Sequence, residues 1–315
     1  LRWRTSVSRR FRADTKNWVE WDQDSSAESY SVYRGEIGAN GMTGYTHRCY
    51  FSELPEPHAS LDAMPWPGYA HYYVAASEFD ADGDGNIYPG SLGADSTGAE
   101  RPDSSSLGCG VRVYVDPDVA GAGGSADPYT ATGLTWAEAY TSVSGALVHE
   151  KSADRSIEIW VRGDVHDPDV EFGADNTHPG ARILGGFSGT ETVPWARDQK
   201  LNPTAWNGDA GLTTLQVTGK ALVIDGIDLR TGTHGVRGTD VSRVELADVS
   251  LEDLSQGGLL LETRTDSRLL ISGVSLTDLG GDGIRADVRG GKLAGFVRDS
   301  LADNVEGRAI SLSAN

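Results

Sequence analysis

The sequence predicts an all-β protein in two parts: a strand-rich N-terminal region and then a parallel β-helix that begins with one α-helix. Three observations support this prediction. The 315 residues include 40 Gly and 12 Pro, and turns rich in Gly and Asp separate short β-branched runs. A loosely kept motif recurs at regular intervals in the last third of the chain. A single segment has helical periodicity.

Composition restricts the classes of function. The formal net charge of −19 leaves no basic stripe of the kind that nucleic acids or anionic lipids need. No apolar run is long enough to span a membrane. The chain starts at Leu1 with no visible signal peptide, so we expect a mature or excised segment. The expected partners are extracellular polysaccharides, surface proteins and cations.

Three segments predict strands in the N-terminal region. Residues 18–22, 27–35 and 70–80 alternate apolar and polar side chains, and turns separate them. Residues 102–110, with the sequence PDSSSLGCG, have the composition of a linker. The sequence therefore predicts one domain at residues 1–109 and a second at residues 110–315.

The motif DADGDGNI predicts a calcium loop. Its acidic residues occupy positions 1, 3 and 5 of such a loop, and a glycine and a backbone carbonyl follow at positions 6 and 7. Position 12 is Ser91, where a bidentate acid belongs, and the alternative is a solvated Asp-Gly turn. The predicted ligands of the calcium ion are Asp80, Asp82, Asp84 and Asn86.

The chain has two cysteines, Cys49 and Cys109, 60 positions apart. A disulfide between them would stabilise the fold by roughly 4 kcal/mol through the unfolded state. The alternative is a pair of free thiols in a cytosolic protein. An acidic, Gly-rich, all-β chain favours the secreted interpretation, in which the two cysteines are bonded.

One amphipathic helix is predicted ahead of the β-helix. The sequence TWAE at residues 135–138 fits a capping box, in which the Thr135 hydroxyl and the Glu138 carboxylate bond the first N–H groups. One apolar face would then contain Trp136, Ala139, Tyr140, Val143, Ala146 and Leu147. Such a helix would cover the open first coil.

The repeat predicts stacked coils. The steps from Leu246 to Ile271 and then to Phe296 are equal, and the step from Ile224 to Leu246 is slightly shorter. The longer step also relates three further series: Ser250, Ser275 and Ser300; Leu251, Leu276 and Leu301; Asp253, Asp278 and Asp303. A Gly-containing turn and an apolar residue close each unit: Gly235-Val236, Gly258-Leu259, Gly283-Ile284 and, more weakly, Arg308-Ala309. A unit of this length with three apolar clusters fits one coil of a parallel β-helix. Leucine-rich repeats have a similar length, but their fixed Asn or Cys is missing.

Strands before the repeat extend the same pattern backward. Residues 111–116, 157–163, 181–187 and 213–219 are short β-branched segments. The sequences VYVDPDVAGAGGSADPYTATGLTWAEAYTSV, IEIWVRG and ILGGFSGTETVPWARDQKLNPTAWNGD resemble the start of bacterial extracellular β-helix domains of the pectin-lyase-like superfamily. This resemblance covers residues 111–315. It implies a right-handed β-helix and leaves the activity open.

The N-terminal region resembles a fibronectin type III domain of the kind that precedes such β-helices. The segments SYSVYRG and GSLGADSTGAERP carry the resemblance, although the first strand is cut short at Leu1. It implies a β-sandwich in which Cys49 and Cys109 join a loop to the tail that leaves the domain. Sandwiches of this type usually space or present a neighbouring domain.

Candidate catalytic groups lie on the β-helix. Hydrolysis of a glycosidic bond needs two carboxylates at a set separation, and Asp225 with Asp248, or Asp282 with Asp287, are the candidate pairs. The resemblance implies that a lyase would need a Lys or Arg base on the outer face, where Arg230, Arg237, Arg243, Arg268, Arg285 and Arg289 are available with His234. None of these lies in a catalytic motif. The seven His residues form no zinc spacing, and Trp66, Trp160, Trp195 and Trp206 could stack on sugars or pack in the core.

The column of Asp253, Asp278 and Asp303 has two interpretations. Stacked carboxylates repel one another, and a cation could offset the repulsion. Turn aspartates that accept backbone N–H bonds are the favoured interpretation.

These observations favour a secreted or cell-surface structural or adhesive protein that contacts glycans or surface proteins through its β-helix. A carbohydrate-active enzyme is the alternative, and a subunit of an extracellular filament is a further one. Asn315 falls inside a repeat, so we expect the natural chain to continue, or a second subunit to cover the open C-terminal coil.

Overall fold

A computed structural model gives the structure of the protein. It describes residues 18–38, 41, 47–61, 65, 69–79, 88–89, 92, 99, 101, 109–119, 132–148, 156–173, 176 and 178–314. The chain forms two compact units, Leu1–Val111 with Thr192–Trp195, and Arg112–Glu191 with Ala196–Asn315. Within the described ranges, no helix has the length and apolar character needed to cross a bilayer.

The N-terminal unit contains two antiparallel sheets. Strands β1 (Trp18–Glu20) and β4 (His58–Ser60) form a two-stranded sheet. The other sheet has the order β3-β2-β5-β6, with β2 at Ser29–Ile37, β3 at Arg48–Leu54, β5 at Ala70–Phe79 and β6 at Tyr88–Pro89. The three strands that the sequence predicts here are therefore confirmed, and β3 and β4 are additional.

Side chains pack on both faces of the larger sheet. Successive residues of β2 point to opposite sides of the sheet. Val32 packs with Trp21, Tyr30, Tyr50, Phe51, Leu54 and Ala59. Tyr33 packs on the other side with Ala76, Leu92 and Cys109. The predicted disulfide between Cys49 and Cys109 is confirmed, with an S–S distance of 2.02 Å.

The C-terminal unit is a β-solenoid of about six coils. One strand column begins each coil and contains β8 (Ile157–Arg162), β11 (Gly180–Phe187), β14 (Ala221–Asp225), β16 (Arg243–Ala247), β18 (Ser267–Ser272) and β21 (Leu293–Arg298). Strand β7 (Val111–Val115) adds to β8 in the same sheet. Parallel pairing at strand spacing gives each coil the support of its two neighbours.

The second and third columns form one sheet of ten strands. Its strands are β9 (Val165–His166), β10 (Val170–Phe172), β12 (Ala205–Asn207), β13 (Leu215–Thr218), β15 (Asp228–Thr239), β17 (Ser250–Thr263), β19 (Ser275–Leu279), β20 (Asp282–Val288), β22 (Leu301–Val305) and β23 (Ile310–Ala314). The long strands β15 and β17 belong to both columns. Their first halves pair in the second column with β12 and β19, and their last halves pair in the third column with β13 and β20.

Inward residues form apolar rows along the solenoid. In the first column, Ile159, Ile183, Ile224, Leu246 and Ile271 occupy successive coils in register. All five side chains are fully buried. This row confirms the predicted steps from Ile224 to Leu246 and from Leu246 to Ile271. Burial of a complete aliphatic side chain contributes about 1.5–3 kcal/mol, so each row stabilises the stack.

The last coil departs from the predicted step. Ile271 is in register with Val297, and Phe296 pairs with Leu270, so the prediction for Phe296 is wrong. The step into this coil is one residue longer than the step before it. The extra residue lies in the turn before β21, where residues 289–292 replace the shorter turn at residues 264–266. Gly290 has φ +91°, a conformation that glycine adopts readily.

The same shift moves the predicted inward residues of the last coil. Leu276 pairs with Ala302, while Leu301 pairs with the outward residue Ser275 and is 67% exposed. Ile284 pairs with Ile310, so the predicted match to Ala309 is also wrong. Ile310 and Leu312, which continue the inward rows of the third column, are 39% and 48% exposed.

The predicted long helix is shorter than its apolar face suggests. A 3-10 helix at Trp136–Glu138 precedes α1 (Val143–Leu147), which packs against β8 and β10 of the first coil. The capping box does not form, because the Glu138 carboxylate accepts a hydrogen bond from the Thr132 hydroxyl at 2.6 Å. Extended backbone at Thr135 and Ala139 bounds the 3-10 turn on both sides.

Helix α1 has its own cap. The Ser142 hydroxyl accepts a hydrogen bond from the Gly145 N–H at 3.1 Å. The Ser144 N–H and hydroxyl donate to the Asp167 carboxylate at 2.7 and 2.9 Å. Val143, Ala146 and Leu147 are buried, so the helix covers the first coil with one apolar face.

Candidate functional site

Two surfaces of the solenoid hold groups that could act on a ligand. One is the first-turn cluster, which consists of Arg197, Gln199, Asp225, Asp248 and Arg298. It lies where the first strand column turns into the second. Asp225 ends β14 and pairs with Ala247, so Asp248 lies one residue farther along the neighbouring coil. The register therefore brings together the first candidate pair of carboxylates.

Arg197 and Gln199 hold the Asp225 carboxylate. A guanidinium nitrogen of Arg197 lies 2.7 Å from Asp225 Oδ2, and the Gln199 amide donates to Oδ1 at 3.3 Å. Arg197 also donates to the backbone carbonyls of Gly185 and Asp225 at 3.2 and 3.3 Å. Because both carboxylate oxygens have partners, Asp225 fixes the loop between β11 and β12.

Asp248, the second carboxylate of the pair, has a different environment. It has φ +50°, its N–H donates to the Ser272 carbonyl at 2.9 Å, and one carboxylate oxygen lies against Gly273 in the next coil. Burial raises the pKa of Asp248, and the nearby Asp225 carboxylate raises it further, while Arg197 and Arg298 act in the opposite direction. The net effect is a carboxyl group that holds its proton at a higher pH than an ordinary aspartate.

Arg298 completes the cluster from the last coil. It is in register with Ser272, and its Nε donates to the Ser272 hydroxyl at 3.0 Å. The cluster thus contains two carboxylates, of which Asp248 has a raised pKa, and two cations, which is an arrangement found at functional sites. A cluster that only holds the loop between β11 and β12 in place would contain the same groups.

The second candidate pair does not come together. Asp282 and Asp287 lie five residues apart on β20, which places them about 16 Å apart along the strand. Glycosidases need their two carboxyl groups within about 5–9.5 Å. The carboxylates also have local partners: Asp282 accepts from the Arg308 N–H at 2.8 Å, and Asp287 accepts from Ser313 and Arg285.

The predicted column of three aspartates contains only two. Asp253 and Asp278 occupy left-handed turn positions with φ +55° and +53°, and the next coil places Asn304 there with φ +49°. The Asn304 amide donates to the Asp278 carboxylate. Asp303 instead pairs with Thr277 on the outer face of the second column, so the prediction that it stacks with Asp278 is wrong.

The second surface is the second-column face. Its outward residues form two polar rows in register: Asn207, Arg230, Glu252, Thr277 and Asp303 in one, and Asp228, Ser250 and Ser275 in the other. Arg230 lies 2.9 Å from Asp228 and 3.2 Å from Glu252. The face therefore presents hydrogen-bonding groups once per coil, and the opposite side of its strands is buried in the coils before the last one.

The remaining predicted basic and histidine groups lie on outer faces or have structural contacts. Arg237 pairs with Glu262 at 3.3 Å, Arg243 with Glu245 at 3.1 Å and Arg285 with Asp287 at 2.8 Å. Burial and the neighbouring Arg237 lower the pKa of His234, against the opposite effect of Glu262. No group of three or more His, Cys, Asp or Glu that could hold a metal ion occurs among the residues with described positions.

The tryptophans proposed for sugar stacking differ in position. Trp160 and Trp206 are buried, and Trp160 stacks on Phe187 with ring centroids 4.4 Å apart. Trp195 packs edge-on against Phe51 at 5.1 Å. Core packing is therefore the role of Trp160 and Trp206. Trp66 and all four predicted calcium ligands, Asp80, Asp82, Asp84 and Asn86, lie outside the described residues.

Sequence reasoning missed three members of the first-turn cluster. Arg197 and Gln199 lie in the irregular loop between β11 and β12, and Arg298 lies in the last coil, whose register differs from the predicted one. The only available signal for Arg197 was its place in the segment GGFSGTETVPWARD. The contact to Asp225 crosses 28 residues, and no local pattern encodes it.

Comparisons with known proteins give no relative. No protein-family model matches the chain, and no curated protein or solved structure matches it either.

Proposed function

We propose that the protein is a secreted or cell-surface structural and adhesive protein whose solenoid contacts glycans through the second-column face. The observation that carries this proposal is the pair of polar rows on that face, with one set of hydrogen-bonding groups per coil. A polymer of repeating sugars lying along the stack would meet a repeating set of donors and acceptors. The buried inward rows keep these groups at fixed spacing.

The disulfide and the N-terminal sheets support the extracellular part of the proposal. Disulfides persist in oxidising compartments and are rare in the cytosol. The antiparallel sheets of the N-terminal unit suit a fibronectin type III-like spacer that displays the solenoid. Parallel crossover connections are right-handed in nearly all proteins, which supports a right-handed solenoid.

Retention of neutral polysaccharides tests the glycan contact. The Arg230→Gln/Glu252→Gln variant removes the ion pair of the second-column face at unchanged net charge. The Arg237→Gln/Glu262→Gln variant removes the corresponding pair of the third column and is the matched control. We expect loss of retention only in the first variant. No retention of any polymer by the natural chain would contradict the proposal.

A carbohydrate-active enzyme is the second candidate, because Asp225 and Asp248 are neighbours and Asp248 has a raised pKa. The same polymer panel distinguishes the two functions if polymer length is measured after incubation. Shortening that disappears in Asp248→Asn would replace the adhesive function with hydrolysis or elimination. Unchanged polymer length together with retention would favour the adhesive function.

The proposal includes a bound calcium ion with Asp80, Asp82, Asp84 and Asn86 as its ligands. Three carboxylates within five residues repel one another, and a bound Ca²⁺ would offset this repulsion. Chelation should therefore lower the melting temperature of the N-terminal unit, and added calcium should restore it. An unchanged melting temperature through this cycle would exclude a stabilising site.

A further inference from the structure

The turns between the third and first strand columns hold a concentration of positive charge. The whole chain has 27 Lys and Arg residues and 46 Asp and Glu residues. In the turn at residues 264–266, the first two residues of β18 and the neighbouring turn at residues 289–292, four cations accompany one carboxylate, Asp266. We call Arg264, Arg268, Arg289 and Lys292 the third-turn patch.

Stacking places these cations on neighbouring coils. Thr263 is in register with Val288, so Arg264 and Arg289 start successive turns about 4.8 Å apart along the stack. The Arg289 N–H donates to the Thr263 carbonyl at 2.7 Å, which fixes the backbone of the two turns together. All four members of the patch are exposed.

The carboxylates beside the patch accept hydrogen bonds from backbone N–H groups or from side chains outside the patch. Asp266 accepts a hydrogen bond from the Lys292 N–H at 2.9 Å, and Asp240 accepts one from the Arg264 N–H at 2.8 Å. Asp287, whose pKa Arg289 helps to lower, bonds Ser313 at 2.6 Å and Arg285 at 3.0 Å. For Arg264, Arg289 and Lys292, the described part of the chain provides no ion pair.

We propose that the third-turn patch binds the anionic groups of a charged glycan, with sulfate or carboxylate groups meeting cations on successive coils. The inference rests on the proposed function, in which the solenoid binds glycans, but it concerns a separate surface. A guanidinium group can bond two oxygens of one oxyanion, and closely spaced cations bind a polyanion without a deep pocket. The negative charge of the remaining surface would confine such a polymer to this patch.

Dextran sulfate and hyaluronate are the charged probes, and unmodified dextran is the uncharged one. The test variant is Arg289→Gln/Lys292→Gln. The matched control is Lys200→Gln/Arg308→Gln. It removes one exposed Lys and one exposed Arg outside the patch, so it has the same net charge as the test variant. An exposed cation beside an anionic surface contributes roughly fivefold in affinity, so we expect roughly 30-fold weaker binding in the test variant. We expect less than about twofold change in the control.

Arg289→Lys/Lys292→Arg preserves the charge and should retain the affinity, which separates charge from damage to the turn. Preference for dextran sulfate assigns sulfate as the ligand group, and preference for hyaluronate assigns carboxylate. Equal losses in the test and control variants, or no binding of either charged probe at low salt, would overturn the inference. Because unmodified dextran and the second-column variants report on the proposed function, failure of one hypothesis is distinguishable from failure of the other.

Discussion

Arg197 joins the loop between β11 and β12 to Asp225 at the end of β14, with 2.7 Å between guanidinium nitrogen and carboxylate oxygen. Both side chains are mostly shielded, at 16% and 18% exposure. The same guanidinium bonds two backbone carbonyls, so a single side chain connects the inserted loop to two coils. This contact makes the first-turn cluster a rigid part of the solenoid.

Removal of that contact should destabilise the solenoid. Arg197→Gln leaves a shielded carboxylate without its cation, and we expect a loss of about 2 kcal/mol in the free energy of unfolding. Arg237→Gln is the control, because Arg237 lies 3.3 Å from Glu262 and the two side chains are 47% and 40% exposed. Exposed pairs contribute less than about 1 kcal/mol. Urea unfolding measures both, and equal losses would show that shielding of Arg197 is unimportant.

Gly273 should resist replacement more strongly than Gly219. Both have left-handed backbone, with φ +65° and +68°, so an added side chain costs roughly 1 kcal/mol at either position. A Cβ at Gly273 would collide with the Asp248 carboxylate, whereas nothing lies within 4 Å of a Cβ at Gly219. We therefore expect Gly273→Ala to cost clearly more than Gly219→Ala. Equal melting temperatures for the two variants would contradict the close contact with Asp248.

The pH dependence of stability should identify the raised pKa of Asp248. A raised pKa means that the charged carboxylate destabilises the folded state, and this effect is absent at pH values below the ordinary carboxyl pKa of about 4. Asp248→Asn should therefore stabilise the protein at neutral pH, and the gain should disappear as pH falls through the raised pKa. The measurement is the free energy of unfolding of both proteins across this range.

Asp287→Asn is the control of opposite sign. The Ser313 hydroxyl and Arg285 lower the pKa of Asp287, so its carboxylate stabilises the folded state above the ordinary carboxyl pKa. This variant should be less stable than the natural chain at neutral pH, and the difference should vanish as pH falls through the lowered pKa. A gain from Asp248→Asn that persists at acid pH would exclude titration as its cause.

The sequence encodes the coils up to the fifth one with enough redundancy to be predicted. Leu251 and Leu276 are buried inward residues, and the structure pairs them as the spacing predicts. The match fails where Ser300-Leu301 copies the letters of Ser275-Leu276 one position out of phase. The one-residue insertion lies in the turn at residues 289–292, where the chain changes length without disturbing an apolar row.

The predicted helix differs from the observed one for another reason. Periodicity places Trp136, Ala139 and Tyr140 on one face, but these residues meet separate neighbours. Tyr140 forms an isolated bridge with Val115, and Trp136 lies against Tyr114 with ring centroids 4.7 Å apart. Tertiary pairing with β7 therefore replaces the first helical turns. Helical propensity is a weak preference that such contacts override.

The first-turn cluster shows what local patterns leave out. Asp225 and Asp248 could be chosen from the sequence because they end comparable strands of successive coils. Their environment comes from Arg197 in an inserted loop and Arg298 two coils away, and these contacts depend on the complete stack. A pattern can therefore supply the candidate carboxylates, while their pKa and their partners follow only from the structure.

Loss of the disulfide should weaken the N-terminal unit alone. Cys49 and Cys109 both belong to that unit and close a loop of 60 residues, for which chain entropy predicts roughly 4 kcal/mol of stabilisation. Cys49→Ala/Cys109→Ala should therefore increase hydrogen exchange in β2 and β3 while β14 and β16 keep their protection. Mass spectrometry of peptides from the four strands measures this directly. The natural chain treated with a reductant should reproduce the result, whereas the variant treated in the same way should not change further. Equal loss of protection in β14 and β16 would show that the two compact units unfold together.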